Sequence, residues 1–182
     1  MKRILSLFLF ALFVLSASAA AGPEFPLILK NSVPAKDGYY EQLDSISLDF
    51  DLSNVYAAYP DISPADFTLL AAMSATKPIT ITDNKTGDII YTLIHKISLN
   101  SQEAQDLYGK TRLKFQLDSI VELKKGCSYT ISIPALCFYA RARDLNTNNT
   151  MLPDTTFTFY GPKDEDPGVV ADIVPTATVP EN

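Results

Sequence analysis

Five separate stretches of this chain alternate apolar and polar residues with a period of two. In DSISLDFDL (44–52), Ile46, Leu48, Phe50 and Leu52 share one phase, while Ser45, Ser47, Asp49 and Asp51 share the other. DIIYTLIHKISL (88–99) aligns Ile89, Tyr91, Leu93, Ile97 and Leu99. TRLKFQLDS (111–119) aligns Leu113, Phe115 and Leu117, LKKGCSYTISIP (123–134) aligns Tyr129, Ile131 and Ile133, and TTFTFYG (155–161) aligns Phe157 and Phe159. Successive side chains of a strand point to opposite faces, so each stretch reads as a strand with one face on a core and one in solvent. PLILKN (26–31), PITITD (78–83) and LCFYARA (136–142) add shorter strands, and Asn84-Lys85-Thr86-Gly87 makes a hairpin of PITITD and the strand after it. About seven strands at even spacing, with turn residues between them, predict an all-β sandwich rather than a βαβ fold.

Two segments break the rhythm. In YPDISPADFTLLAAMSATKP (59–78), Ser63 stands at an N-cap position, Pro64 at N1 and Asp66 at N3, and Phe67, Leu70 and Ala71 then share a helical face. That pattern predicts a short helix from Pro64 to Met73, ending before Pro78. SQEAQDLYG (101–109) predicts a second, of one to two turns, capped by Ser101 and stopped by Gly109.

The ends bound where such a chain works. Lys2 and Arg3 precede the apolar run Ile4–Leu15, and Ala17-Ser18-Ala19 and Ala19-Ala20-Ala21 offer small-x-small cleavage sites. Residues 1–21 therefore read as a secretory signal peptide. The run is shorter than the about 20 residues that span a bilayer, and no second such run follows, so no membrane span is expected in the mature chain. Removing Lys2 and Arg3 from the 15 basic residues leaves 13 against 21 acids, a net charge of −8. That balance argues against nucleic acid and anionic membrane surfaces as partners. Residues 22–161 form the expected domain, and 162–182, with four prolines and no periodicity, an expected disordered or extended, acidic, Pro-rich tail. Cys127 and Cys137 are separated mostly by what reads as one strand, which holds them too far apart for a disulfide unless the chain doubles back after Pro134; a strained bridge or pairing with a partner is the alternative. They are expected to be free and buried.

The turn Lys124-Lys125-Gly126 immediately precedes the strand that Tyr129 opens. A tyrosine so placed fits the corner of Ig-like sandwiches, where its ring closes the core and its hydroxyl satisfies a backbone group of the preceding turn. The order of motifs — Ser-Ile-Ser-Leu-Asp-Phe early, Thr-Gly-Asp-Ile-Ile-Tyr in the middle, Leu-Lys-Lys-Gly-Cys-Ser-Tyr-Thr-Ile-Ser-Ile-Pro late, Thr-Phe-Thr-Phe last — resembles bacterial Ig-like domains of the surface-layer-protein type. The resemblance covers roughly residues 26–160 and implies a spacer, adhesive or binding role. The chain departs from antibody-type domains in having no tryptophan and in carrying Ile131 where the second core cysteine would stand.

Residues with chemistry are few. His95 is the only histidine and lies on the apolar phase of its strand, so a core-edge role is expected of it. Asp49 and Asp51 share a strand face, about 7 Å apart by strand geometry, a spacing suited to calcium or a carboxylate pair but also to an ordinary solvated face. Tyr39, Tyr40, Tyr56, Tyr59 and Phe67 lie in predicted loops or insertions and are the candidate binding residues. Asp44-Ser45-Ile46, Asp118-Ser119-Ile120 and Asp154-Thr155-Thr156 resemble the Asp-(Ser/Thr)-apolar acceptor of extracytoplasmic O-glycosylation. The expected reading is an exported, non-catalytic module of the periplasm, cell surface or medium, needing no cofactor. Its partner would be an envelope or surface protein or glycan, met by loops around 56–77 or by strand addition at an open edge. The alternatives are a small periplasmic carbohydrate-processing enzyme built on Asp49 and Asp51, and a subunit of a surface fibre.

Overall fold

Proline decides where many of the strands stop. The computed structural model of the chain describes residues 26–143 and 150–164. The expected signal peptide, nearly all of the polar loop 144–150 and the tail beyond Asp164 lie outside the described residues. Within them, β1 (Ile28–Val33), β2 (Gln42–Asp51) and β7 (Arg112–Glu122) form a three-stranded sheet in the order β1-β2-β7. A second sheet has the order β10-β9-β3-β6, from Thr150–Met151, Phe138–Ala142, Phe67–Ala72 and Lys96–Ile97. A third has the order β11-β8-β4-β5, from Thr155–Tyr160, Ser128–Ile133, Ile79–Asp83 and Ile89–Leu93. All pairings between these strands are antiparallel.

The second and third sheets are two halves of one broken sheet. Their orders match position by position, because β3 runs on into β4, β5 into β6, β8 into β9 and β10 into β11. Pro78, Pro134 and Pro153 stand at three of the four breaks and Ile94-His95 at the fourth. Proline has no N–H to give a ladder, so a line of such residues interrupts the sheet while the chain continues across it. Backbone bonds at the line, such as Ala72 N–H to the Cys137 carbonyl (2.8 Å) and Leu152 N–H to the Phe138 carbonyl (3.0 Å), keep the ribbons together. Counted as ribbons, the molecule is an all-β sandwich of three facing four, which is the seven-strand architecture the alternation predicts. The ribbon order is that of Ig-like sandwiches, except that the fourth ribbon pairs with the third rather than with the fifth.

The core lies between the two layers. Phe138 of β9 meets Phe50 of β2 (5.4 Å between centroids) and Phe115 of β7 (6.0 Å). The in-phase residues Ile46, Leu48, Phe50, Leu113, Phe115, Tyr129, Ile131, Ile133 and Phe159 are all buried. Phe157 is only partly so.

The segment after Ser63 corrects the sequence reading. Ser63 does cap, accepting from Ala65 N–H at 3.3 Å, but it starts only a 3-10 turn, Pro64–Asp66. Phe67–Ala72 is then β3, an interior strand of the broken sheet, and not a helix. Phe67 through Ala71 are buried without interruption, because both faces of the strand are covered. On one face Thr68 donates to the Ala104 carbonyl (2.9 Å) of α2 (Gln102–Asp106), and on the other Phe67 meets α1 (Ser53–Ala58). A short apolar run buried on both sides carries no period, so it is indistinguishable from a helical stripe. The helix of this region is α1, upstream, and the second predicted helix is α2, with Ser101 accepting from Ala104 N–H (3.1 Å). Likewise 88–99 is not one strand: Ile94-His95 carries the ribbon across the break.

Candidate functional site

The tyrosines chosen from the sequence are mostly structural. Tyr129 is buried, its ring stacks on Phe159 (5.5 Å), and its hydroxyl accepts from Lys124 N–H at 2.8 Å. Tyr40 plays a matching part against Phe159: its ring meets Phe159 edge-on (6.1 Å) and its hydroxyl accepts from Ala35 N–H at 2.8 Å. Each hydroxyl thus satisfies a backbone donor five residues upstream. Tyr56 and Tyr59 of the α1 region pack on Phe67 (5.6 and 6.1 Å). Phe67 is 1 % exposed, so as a binding residue it is corrected: it has no surface to offer. Tyr39 alone of the five is open, at 52 %, and even it is stacked on Tyr160 (5.1 Å) with the Lys163 ammonium 4.6 Å over its ring. Segment 56–77, taken from the sequence as a recognition insertion, contains the interior strand β3.

The paired carboxylates are also engaged. Asp49 accepts from Thr111 Oγ1 (3.0 Å) and Arg112 Nη2 (3.2 Å), across from β2 to β7. Burial opposes its ionisation, but those two hydrogen bonds and the Arg112 charge outweigh it and hold the carboxyl below its ordinary range. Asp51 accepts from Ser53 N–H (2.8 Å) at the start of α1, and that bond lowers its pKa. His95 lies at the sheet break with Nε2 3.3 Å from the Glu103 carboxylate and its ring against Phe115. Both cysteines are free. Cys137 is buried at the break, where burial pushes its thiol pKa up, and Cys127 is half-buried. Of the glycosylation-like motifs, Ser45 is 8 % exposed and bonded to Asp44, Thr155 donates to the Pro153 carbonyl, and Ser119 is exposed.

The feature the sequence reading missed is the flank where β5 and β7 meet. Each is the last strand of its sheet there. Both are bulged: Ile90 has no partner between the pairs Ile81–Tyr91 and Thr82–Ile89, and Leu117–Ile120 stand opposite Asp44 alone. A bulge swings the strand and re-aims its side chains. The outcome is exposed isoleucine on both strands: Ile89 (61 %), Ile90 (36 %) and Ile120 (58 %). Ile90 and Ile120 line a groove of about 230 Å³ with Asp83, Tyr91, Val121 and Lys124. The Tyr91 hydroxyl donates to Asp118 Oδ1 (2.7 Å) and accepts from Asp118 N–H (3.2 Å), tying the two edges together; burial and the Asp118 carboxylate raise its pKa. Asp83 is 2 % exposed. Its Oδ1 accepts from Lys85 N–H (2.9 Å), and its Oδ2 lies 3.9 Å from Lys124 Nζ. A signal was available: Ile90 and Ile120 each fall on the polar phase of their strand, where alternation calls for a hydrophilic residue.

The opposite flank is treated differently. Beside β11, Asp37 N–H bonds the Thr158 carbonyl (2.8 Å), Tyr160 N–H the Gly38 carbonyl (2.8 Å) and Tyr40 N–H the Tyr160 carbonyl (3.0 Å). That edge is therefore capped along half its length. A groove of about 400 Å³ remains further along, between β1 and β11, with Lys30 and Lys36 on its wall.

No protein-family model matches the chain, and no curated protein matches it. Among solved structures it is similar to CopC from Methylosinus trichosporium OB3b, at 14 % identity and a TM-score of 0.37, covering 77 % of this chain and 97 % of that one. It is similar also to PcoC, a methionine-rich copper resistance protein from Escherichia coli, at 14 % identity and a TM-score of 0.36, covering 75 % of this chain and 98 % of that one. The class of protein defined here is an all-β sandwich with one capped flank and one apolar, bulged flank. No helix among the described residues is long and apolar enough to cross a membrane.

Proposed function

We propose that the protein is an exported, non-catalytic sandwich module that works by contact with another envelope or surface macromolecule. The observation that carries this is the β5–β7 flank, where three isoleucines stand in solvent on the outermost strands of both sheets. Exposed apolar side chains grouped on bulged edges suit a contact surface, since isolated exposed isoleucines are ordinary but a shared groove is not. Asp49 and Asp51 support the same reading. Each holds local structure, one across two strands and one at a helix start, which is the work expected of structural carboxylates. The basic n-region and apolar h-region of residues 1–21 support export, and the likeness of the strand motifs to bacterial Ig-like domains supports a binding or spacer role.

The test is a photo-crosslinking amino acid placed at Ile120 in living cells, with Gln105 on α2 as the control position. Protease treatment of intact and opened cells would run in parallel to locate the protein. The proposal expects an adduct from position 120 and none from 105. It expects Ile90→Lys to abolish the adduct from position 120 while leaving the unfolding free energy within about 0.5 kcal/mol, as exposed positions do. Absence of any adduct from position 120, in cells where the protein is folded and exported, would overturn the contact reading.

A further inference from the structure

The β5–β7 groove has a chemical character that narrows its partner. Its walls carry three aliphatic side chains, Ile90, Ile120 and Val121, beside Tyr91, Ser119 and Glu122. At its base is the buried Asp83 carboxylate. One oxygen of that carboxylate is satisfied by the Lys85 N–H, while among the described residues the other has the Lys124 ammonium as its only charged neighbour, at 3.9 Å and therefore beyond hydrogen-bond range. The Lys124 side chain is 74 % exposed, so it can swing into water at little cost. Acids also outnumber bases around the mouth, with Glu122 on the wall and Asp118 at the rim against Lys124.

We infer that the groove takes an extended polypeptide segment bearing a lysine or arginine, with the segment laid along the free edge of β5 and its cation on Asp83. Lysine and arginine carry aliphatic stems that cover apolar surface while the charged end reaches a polar partner. The Ile90–Ile120 walls suit the stem and Asp83 the head. Among the described residues β5 has no strand beyond it, so a strand added there gains main-chain bonds, and alternate side chains are read by pockets. A second copy of this chain is a poorer fit. A two-fold pairing of this flank would set Asp83, Asp118 and Glu122 against their own copies, and like charges brought together are repulsive.

This inference rests on the contact reading above, and its test is separable from it. The full chain, labelled with 15N, is titrated with a nine-residue alternating threonine–valine peptide carrying one central lysine. Matched peptides carry glutamate or norleucine there. The lysine peptide should shift the amides of Ile89–Leu93 and Asp83 at up to millimolar concentration. The other two should bind about tenfold more weakly, the discrimination expected of a close charge pair. Asp83→Asn should reduce the lysine peptide to the norleucine level. Because that variant alters a buried group on which folding also depends, Lys124→Gln is the second arm. It deletes the competing ammonium from an exposed position and should tighten the lysine peptide severalfold, an effect that a purely structural Asp83–Lys124 contact would not produce. The inference is overturned by equal binding of lysine and norleucine peptides, by no binding at millimolar peptide, or by shifts that leave Ile89–Leu93 and Asp83 unmoved. It is also overturned by concentration-dependent self-association through the same amides, or by a neutral oligosaccharide displacing the peptide. If position 120 crosslinks a partner in cells and Asp83→Asn leaves that adduct intact in a folded protein, the contact reading stands and the basic segment falls alone.

Discussion

Replacing Tyr129 with phenylalanine isolates one oxygen atom. The ring remains, stacked on Phe159 at 5.5 Å and 1 % exposed, and only the acceptor of the Lys124 N–H at 2.8 Å is lost. A buried donor left without a partner costs about 1–3 kcal/mol. Lys124 itself is exposed, so water reaches part of its turn, which places the cost in the lower half of that range, about 1–2 kcal/mol. At about 2–4 °C per kcal/mol for a chain of this size, the midpoint should fall by about 2–8 °C. Tyr129→Ala also removes the ring and should cost about 3–5 kcal/mol, as deletions of large buried aromatics do. The assay is urea unfolding followed by far-UV circular dichroism, with the slope checked for constancy so that the midpoint shift reports stability. Tyr40→Phe is the internal comparison. It deletes the matching acceptor of Ala35 N–H (2.8 Å) from a more exposed ring, and should cost less, about 0.5–1 kcal/mol. Both changes keep the rings that share Phe159, so the double variant should be additive within about 0.5 kcal/mol. A Tyr129→Phe protein that unfolds at the wild-type urea concentration would refute the reasoning, since the corner would then be held by ring packing alone.

Other consequences are sharper in sign than in size. Asp49→Asn should remove part of the acid sensitivity of the fold. Because its folded-state pKa is depressed, the contribution is full above the ordinary value of 3.8 and is lost as pH falls through the folded value, so the variant and parent should converge in stability in strong acid and differ by under about 1 kcal/mol at neutral pH. Gly161→Ala should be destabilising by about 2 kcal/mol or more in the same urea assay, because a Cβ there would overlap the Lys124 carbonyl oxygen, which is backbone and has no easy retreat. Maleimide should label half-buried Cys127 first and reach Cys137 only on unfolding, as read by mass spectrometry; equal rates would contradict the burial of Cys137 at the sheet break. Deleting residues 60–76 should abolish the cooperative unfolding transition, since it removes β3; a deletion variant that still unfolds cooperatively would show the strand to be dispensable.

The sequence carried the half-buried strands because each has one wet face, and a wet face writes a period-two pattern. β2, β7, β8 and β11 were legible for that reason. β3 was not, because α2 covers what would have been its wet face, and a strand buried on both sides leaves no alternation to read. The Ser63-Pro64-Asp66 start signal was physically real and still misleading: local capping chemistry formed, but only for one 3-10 turn before tertiary pairing with β9 and β6 took over. The loop tyrosines were misjudged for a similar reason. Tyr40, Tyr56 and Tyr59 lie outside the strands, yet their rings end on Phe159 or Phe67, and a sequence does not reveal which loop folds back onto the core.

The two flanks of the sandwich show how its edges divide their work. An uncapped edge strand invites indiscriminate pairing, and a chain can answer by covering the edge or by bending it. Along β11 the segment 37–40 covers it, with three backbone bonds and the Tyr39–Tyr160 stack. At β5 and β7 nothing among the described residues covers it, and both strands are bulged instead. Bulges at Ile90 and Leu117–Ile120 spoil the flat register that a generic strand would need, yet they turn isoleucines outward over a buried carboxylate. Solubility alone would be served by the bulges with lysine or glutamate at these positions. Combining geometry that discourages unselective pairing with side chains that reward contact is what a selective docking edge requires, and replacing Ile90 and Ile120 by charged residues should therefore cost binding while costing stability almost nothing.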